Sequence, residues 1–210
     1  MMYSTEKFWD NIAQKGAGQD VRISDSLMEV VKNIRKYLSK DHKILDFACG
    51  SGTLCAELAD RVENIVAIDI SSVMLENAKK KAELYNINNI SFQHKSIFDE
   101  SFKHETFDGI MAFNVLHLLE NADEVLRRIH QLLKPGGYFI SKTPCIAEKT
   151  LLNWMLPFIQ KIKKVPFIKR FKMDELESFV IQNGFEKAES KIINHKSASY
   201  YLVTFKNNAV

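Results

Sequence analysis

The stretch ILDFACGSGTL, Ile44 to Leu54, places an aspartate near the end of an apolar run and follows it with small residues and two glycines. The apolar run predicts a short strand over residues 43–47, and the residues after the glycines predict a helix over 53–61. In an open parallel sheet, ligands bind beyond the carboxyl ends of the strands. The turn between the two elements is therefore predicted to face a ligand, which its glycines would allow to approach the backbone closely.

The rest of the chain alternates strand patterns with helix patterns. Further strands are predicted over residues 64–68, 90–94, 107–113 and 137–143, and further helices over 24–38, 71–85, 122–133 and 174–183. This alternation predicts parallel βαβ crossovers and a doubly wound sheet. The two last strands, over 185–193 and 199–205, have no helix between them, so we expect them to pair as an antiparallel hairpin at one edge.

The composition is that of an ordinary globular protein. The 210 residues are 46% hydrophobic and 26% charged, which predicts a single domain over residues 1–210. The formal net charge of +3 is too small to indicate nucleic acid as a partner. The three cysteines form no CxxC or Cys/His cluster, so neither a disulfide framework nor a metal site is expected. The sequence shows no secretory signal and no run of apolar residues long enough to span a membrane, and we expect a cytoplasmic location.

Two aspartates suggest the chemistry of the ligand. Asp46 ends the first strand, where a cationic ligand group would compensate the desolvation of its carboxylate. Asp69 ends the second strand, where an acid can accept both hydroxyls of a ribose. A nicotinamide dinucleotide is the competing interpretation, but Cys55 replaces the third glycine of G-x-G-x-x-G and Asp46 would repel a pyrophosphate. S-adenosylmethionine carries an ammonium, a ribose and an adenine, so the charges favour a methyl donor.

Several motifs resemble those of one family. ILDFACGSGTL, IVAIDISSVML, FDGIMAFNVLHLL and LLKPGGYFISKTP are similar to successive motifs of the class I S-adenosylmethionine-dependent methyltransferases, and FKMDELESFVIQNGFEKAE is similar to the helix and strand before that family's final strand. The resemblance covers residues 40–143 and 171–205. It implies an α/β, Rossmann-like doubly wound sheet of seven strands in the order 3-2-1-4-5-7-6, with strand 7 antiparallel and helices on both faces.

The resemblance also implies a cofactor, S-adenosyl-L-methionine, with S-adenosyl-L-homocysteine as the product. The turn after the first strand would hold the methionine part, Asp69 the ribose hydroxyls, and Ile70 and Met74 the adenine. The full set of implied cofactor residues is Asp46, Ala48, Cys49, Gly50, Ser51, Gly52, Asp69, Ile70, Met74, Ser96, Ile97 and Asn114. Two positions depart from the family: it often has glycine where Ala48 stands, and an aspartate where this sequence reads KSI at 95–97.

No fixed catalytic triad is expected where the methyl acceptor would bind. Methyl transfer from a sulfonium mainly requires that the nucleophile be aligned with the methyl group. His117 is the candidate general base, the alternative being a wall of the pocket. Trp9 lies in a predicted N-terminal helical cap over residues 1–40, and Trp154 lies in a predicted lid over 144–173. With His117, these two tryptophans are the candidate acceptor contacts.

The predicted lid indicates the kind of acceptor. Its large apolar residues favour a small, hydrophobic molecule, and its lysines suggest peripheral contact with an anionic membrane through residues 150–173. A packed helix with a solvated basic face is the plainer interpretation of the same pattern. Two other functions stay open from the sequence alone: an NAD(P)-linked oxidoreductase and a non-catalytic S-adenosylmethionine-binding module.

Overall fold

A computed structural model of the protein describes residues 2–16, 24–149, 167–194 and 198–207. The helices are α1 (Met2–Gly16), α2 (Asp25–Ile34), α3 (Thr53–Leu58), α4 (Ser72–Leu84), α5 (Ala122–Leu132) and α6 (Met173–Gln182). The strands are β1 (Lys43–Phe47), β2 (Asn64–Asp69), β3 (Ile90–His94), β4 (Phe107–Phe113), β5 (Leu133–Pro144), β6 (Phe185–Asn194) and β7 (Ser199–Lys206). Short 3-10 helices lie at Ala59–Arg61, Leu116–Leu118 and Ile146–Glu148.

All seven strands form one sheet in the order β3-β2-β1-β4-β5-β7-β6. The strands β1 to β5 pair in parallel, whereas β7 pairs antiparallel with both β5 and β6. The short connection between β6 and β7 leaves no length for a helical crossover, so the two strands must run in opposite directions. The predicted fold class, strand order and antiparallel seventh strand are confirmed.

The start of β5 differs from the prediction. The KPGG sequence was expected to end α5 ahead of a strand over 137–143, but β5 already begins at Leu133, which pairs with Phe107. The register shifts before the next pair, Gly109 with Tyr138, so β5 bulges between Leu133 and Tyr138. Gly136 has a φ of 72°, the left-handed conformation that this bulge requires.

The strands direct alternate side chains into two hydrophobic clusters, one on each face of the sheet. One cluster includes Phe139 of β5 and Leu126 of α5. The other includes Ile140 of β5 and Ile34 of α2. The core therefore lies on both faces of the sheet, with helices covering each.

The predicted cap and lid are described only in part. Within residues 1–40, α1 contacts α4, and α2 packs into the core. Of the predicted lid over 144–173, the structure describes 144–149 and 167–173, while residues 150–166, with Trp154, lie outside the described residues. The lid and its membrane contact therefore stay predictions. No helix in the described parts of the chain is long and apolar enough to cross a membrane.

Candidate functional site

A cavity of about 230 Å³ lies at the carboxyl ends of β1, β2 and β4, with α1 along one side. The predicted site residues that line it are Trp9, Ala48, Gly50, Asp69, Ile70, Met74 and Asn114. Sequence reasoning missed the other lining residues, which are Thr5, Phe113, Val115, Leu118 and Leu119. Most of these are apolar and follow β4, where the sequence pattern reads as ordinary core.

The turn after β1 adopts left-handed backbone conformations at three positions. Ala48 has a φ of 59°, Gly50 of 55° and Gly52 of 69°. The turn is held by Cys49, whose amide donates to the Ile68 carbonyl at 3.0 Å. An alanine in the left-handed region is strained by about 1–2 kcal/mol. The conformation of Ala48 gives a physical reason for the glycine that the resemblance leads one to expect there.

The two glycines of this turn have different surroundings. A Cβ atom added to Gly50 would have no heavy atom within 4 Å, so this position borders open space in the cavity. A Cβ atom added to Gly52 would lie 2.8 Å from the Cβ of Ala78 and 3.2 Å from the ring of Phe92. Gly50 therefore leaves room for a ligand, whereas Gly52 allows α3 to start close to its neighbours in the core.

Asp69 lies at the end of β2 with its carboxylate held by the backbone. One oxygen accepts a hydrogen bond from the Gly50 amide at 2.9 Å, and the other accepts from the Ser71 amide at 2.8 Å. Burial raises the pKa of this carboxyl, and the amide donors oppose the rise. Each carboxylate oxygen has a second lone pair, so Asp69 can still accept hydrogen bonds from two ligand hydroxyls.

Asp46 lies behind the cavity wall, with only 2% of its surface exposed. Its Oδ2 atom has no hydrogen-bond partner within the described residues. Burial, and then the negative charge of Asp69, raise the pKa of Asp46 to about 7. A buried carboxylate with one unpartnered oxygen, next to an open glycine turn, is an arrangement that a ligand ammonium would stabilise. These residues fit the amino-acid end of the expected cofactor.

Side-chain contacts hold α1 against the rim of the cavity. The hydroxyl of Ser71 caps α4 by accepting from the Met74 amide at 3.1 Å, and it donates to Asp10 of α1 at 2.5 Å. The Nε2 atom of His94 lies 2.8 Å from the Ile70 carbonyl oxygen and 3.3 Å from a carboxylate oxygen of Glu6 of α1. We call these two contacts, Asp10 with Ser71 and Glu6 with His94, the α1 latch. The sequence pattern gave no sign of either.

Four predicted cofactor residues besides Asp46 and Gly52 do not line the cavity. Cys49 Sγ lies 3.7 Å from the Gly50 carbonyl, and the Ser51 hydroxyl lies 3.4 Å from that of Thr53. Ser96 accepts a hydrogen bond from the Phe98 amide at 3.0 Å, and Ile97 is part of the core. Their contacts with a cofactor stay predictions.

His117 lies in the 3-10 helix after β4 and is 8% exposed. It does not line the cavity, although the next residue, Leu118, does. Its Nδ1 atom has no partner among the described residues, and burial lowers the pKa of its imidazole to about 4. Such a histidine is neutral at pH 7 but a weak base, so its role as general base stays a prediction.

Comparisons with known proteins agree with this geometry. Residues 38–201 match a family model described as a methyltransferase domain. The mitochondrial ubiquinone biosynthesis O-methyltransferase of Schizosaccharomyces pombe is 29% identical over 171 residues, which cover 77% of this chain and 60% of that protein. The chain thus spans less than two thirds of the length of this relative.

Two solved structures share the fold across nearly the whole chain. A putative methyltransferase in complex with a Haloferax volcanii methyltransferase activator superposes with a TM-score of 0.77 at 17% identity, covering 95% of this chain and 98% of its own. The N-methyltransferase NodS of Bradyrhizobium japonicum, in complex with S-adenosyl-L-homocysteine, gives 0.70 at 17% identity, with the same coverages of 95% and 98%.

The fold and the cavity thus define an α/β protein with a ligand crevice at the carboxyl edge of its sheet. The chain belongs to the class I S-adenosylmethionine-dependent methyltransferase family. The family prediction is confirmed, and with it S-adenosyl-L-methionine as the cofactor.

Proposed function

We propose that this protein methylates a small, hydrophobic acceptor by in-line displacement at the sulfonium of S-adenosyl-L-methionine. The observation that carries the proposal is the grouping of three features at the carboxyl ends of β1 and β2: Gly50 and Asp69 line the cavity, and Asp46 is buried close to Asp69. Asp46 supplies a buried carboxylate with an unpaired oxygen, Gly50 leaves its backbone open, and Asp69 presents an acceptor for hydroxyl groups. The cofactor, when bound, supplies a methyl group already activated by a good leaving group.

In this proposal the residues of the chain bind and orient the cofactor and the acceptor, and they form no covalent bond with either. Asp46 offsets the positive charge of an ammonium, and Asp69 fixes a ribose through hydrogen bonds. Ile70 and Met74 offer apolar surface beside Asp69, which suits a flat adenine. Alignment of the nucleophile with the methyl group, together with exclusion of water, supplies most of the rate enhancement in such a reaction.

The proposed nature of the acceptor rests on the last residue of β4 and on the residues that follow the strand. Phe113, Val115, Leu118 and Leu119 give this side of the cavity an apolar wall, next to Trp9 of α1. An apolar wall favours a hydrophobic acceptor because burial of apolar surface drives its binding. The S. pombe relative is named for O-methylation in ubiquinone biosynthesis. Phenolic compounds are therefore the first acceptors to screen.

Calorimetry tests the cofactor part of the proposal. We expect S-adenosyl-L-homocysteine to bind and NADH not to bind. Binding of NADH alone would overturn the proposal in favour of an oxidoreductase.

A methyl-transfer screen tests the enzyme part. We expect label from S-adenosyl-L-methionine to appear in at least one phenolic acceptor. A protein that binds S-adenosyl-L-homocysteine but transfers no label across a broad panel of phenols, amines and thiols would instead be a cofactor-binding module.

A further inference from the structure

Lys142 is a charged residue in the buried second half of strand β5. Along β5, the sequence YFIS that precedes it is buried at every position, and so is Thr143 after it. Lys142 itself is only partly buried, and its ammonium makes no hydrogen bond or ion pair with the described residues. Sequence reasoning treated this lysine as part of a strand motif, although a lysine within such an apolar run is itself a signal.

The register of the sheet places Lys142 next to a residue that lines the cavity, although Lys142 itself does not line it. It pairs with Phe113 of β4, so both side chains point to the same face of the sheet, and Phe113 lines the cavity. The amide of Asn114, another lining residue, donates to the Lys142 carbonyl at 2.8 Å. Lys142 therefore lies near the carboxyl edge of the sheet. One strand, β4, separates it from β1, the strand that carries Asp46.

Within the part of the chain that the structure describes, no acid compensates the charge of Lys142. Burial lowers the pKa of its amine, and no acid opposes that shift. Two other lysines of the sheet are paired with acids: Lys134 with Asp108 at 2.7 Å, and Lys187 with Glu177 at 2.5 Å. A partly desolvated ammonium without a partner is unfavourable, and an anion from a ligand would stabilise it.

We propose that Lys142 binds an oxyanion, such as a carboxylate, on a ligand of this cavity. The inference rests on the proposed function, because it assigns the anion to a molecule bound there. Two sources supply this chemistry: the carboxylate in the amino-acid part of the cofactor, and an anionic group on an otherwise hydrophobic acceptor. Lys142 is a binding and specificity residue in this scheme, and it takes no part in bond making.

The test uses Lys142→Met, which keeps the length and apolar stem of the side chain but removes the charge. Lys191→Met is the matched control, because Lys191 lies in the same row of the sheet: Lys142 and Lys191 both pair with Tyr201. Lys191 makes its ion pair with Glu29, away from the cavity. Lys142→Arg keeps the charge and reports whether charge alone restores binding.

Calorimetry with two ligand pairs separates the sources. S-adenosyl-L-homocysteine is compared with 5′-methylthioadenosine, which lacks the amino-acid part. 3,4-Dihydroxybenzoate is compared with catechol on protein already loaded with S-adenosyl-L-homocysteine. A charged hydrogen-bond partner changes affinity by about 10- to 100-fold. We expect Lys142→Met to weaken the carboxylate-bearing member of one pair by that factor and to leave the other member unchanged.

The ligand pair in which affinity falls identifies the source of the anion. Lys142→Arg should restore most of the affinity that Lys142→Met loses. The inference is overturned if Lys142→Met matches Lys191→Met with all four ligands, or if wild type prefers neither carboxylate-bearing ligand. Failure of the wild type to bind S-adenosyl-L-homocysteine at all would instead overturn the proposed function. Circular dichroism of each variant checks that the fold is retained.

Discussion

The cavity has two sides that are built in different ways. At the ends of β1 and β2, a short turn and two aspartates supply the polar groups, and backbone amides hold Asp69 in place. At the end of β4, apolar residues of the strand end and of the segment after it form the wall, and Lys142 of the adjacent β5 has no ion-pair partner among the described residues. The first side follows from short motifs at two strand ends, and we propose that it binds the cofactor that the family shares. The second collects residues from separate segments, which is how an acceptor site can vary on a constant fold.

The largest effect that would test this contrast is expected at Asp46. Replacement by Asn removes the charge that an ammonium requires, so we expect affinity for S-adenosyl-L-homocysteine to fall by at least 100-fold. Calorimetry measures this, with Asp60→Asn at an exposed ion pair as the control. If Asp46→Asn bound the ligand as wild type does, Asp46 could not be the ammonium site.

The pH dependence of Asp46 has a defined sign. Its pKa is about 7 in the folded state, above the ordinary value of 3.8, so the carboxylate form declines as pH falls through 7. We expect ligand affinity in wild type to drop roughly tenfold between pH 8 and pH 6. For folding, the raised pKa means that stability is fully present below about pH 4 and is lost as pH rises to 7. Asp46→Asn should therefore stabilise the ligand-free protein at pH 8, by roughly 1–3 kcal/mol in chemical denaturation.

Substitutions of the two glycines in the turn after β1 are expected to have different effects, one mainly on folding stability and the other mainly on ligand affinity. Gly52→Ala forces a Cβ against Ala78 in a left-handed conformation, so it should destabilise the fold by about 3 kcal/mol. Gly50→Ala adds only backbone strain of about 1 kcal/mol but fills space where the ligand would lie. Denaturation and calorimetry on both variants check this. Equal losses of stability would contradict the assignment of different roles.

A smaller effect is expected at the α1 latch. Asp10→Ala removes the acceptor for the Ser71 hydroxyl, while Ser71 can still cap α4. We expect affinity for S-adenosyl-L-homocysteine to weaken about 3- to 10-fold, with faster hydrogen exchange in α1. Asp123→Ala, which breaks an exposed pair with Arg127 in α5, is the control. Unchanged exchange in α1 would show that the latch contributes nothing to its position.

The smallest effect is expected at Ala48. Glycine relieves the left-handed strain at this position but loses more backbone entropy on folding. The entropy loss offsets only part of the strain relief, so Ala48→Gly should raise the free energy of unfolding by up to about 1 kcal/mol without changing ligand affinity. Thermal denaturation measures the gain. A loss of stability would contradict the strain inferred at this alanine.

Much of the fold and one side of the cavity could be predicted because their signals are local. Periodicity and turn residues placed β1, β3 and β4 correctly, and the absence of a helix before the last strand indicated the hairpin. Asp46, Gly50 and Asp69 were identified because strand ends in a parallel sheet converge on one edge. The predicted start of β5 was wrong because the strand is extended to Leu133 by pairing with Phe107. That pairing depends on a neighbouring strand, which the local sequence does not show.

By itself, the sequence determined the class of fold, the order of its elements and the two aspartates proposed to bind the cofactor, since each depends on residues close together in the chain. Only the tertiary structure decided which glycine borders open space and which meets the core, how α1 is held by Ser71, and where Lys142 lies relative to Phe113. These depend on contacts between segments tens of residues apart. Periodicity carries no information about such contacts, because they arise only when the sheet assembles.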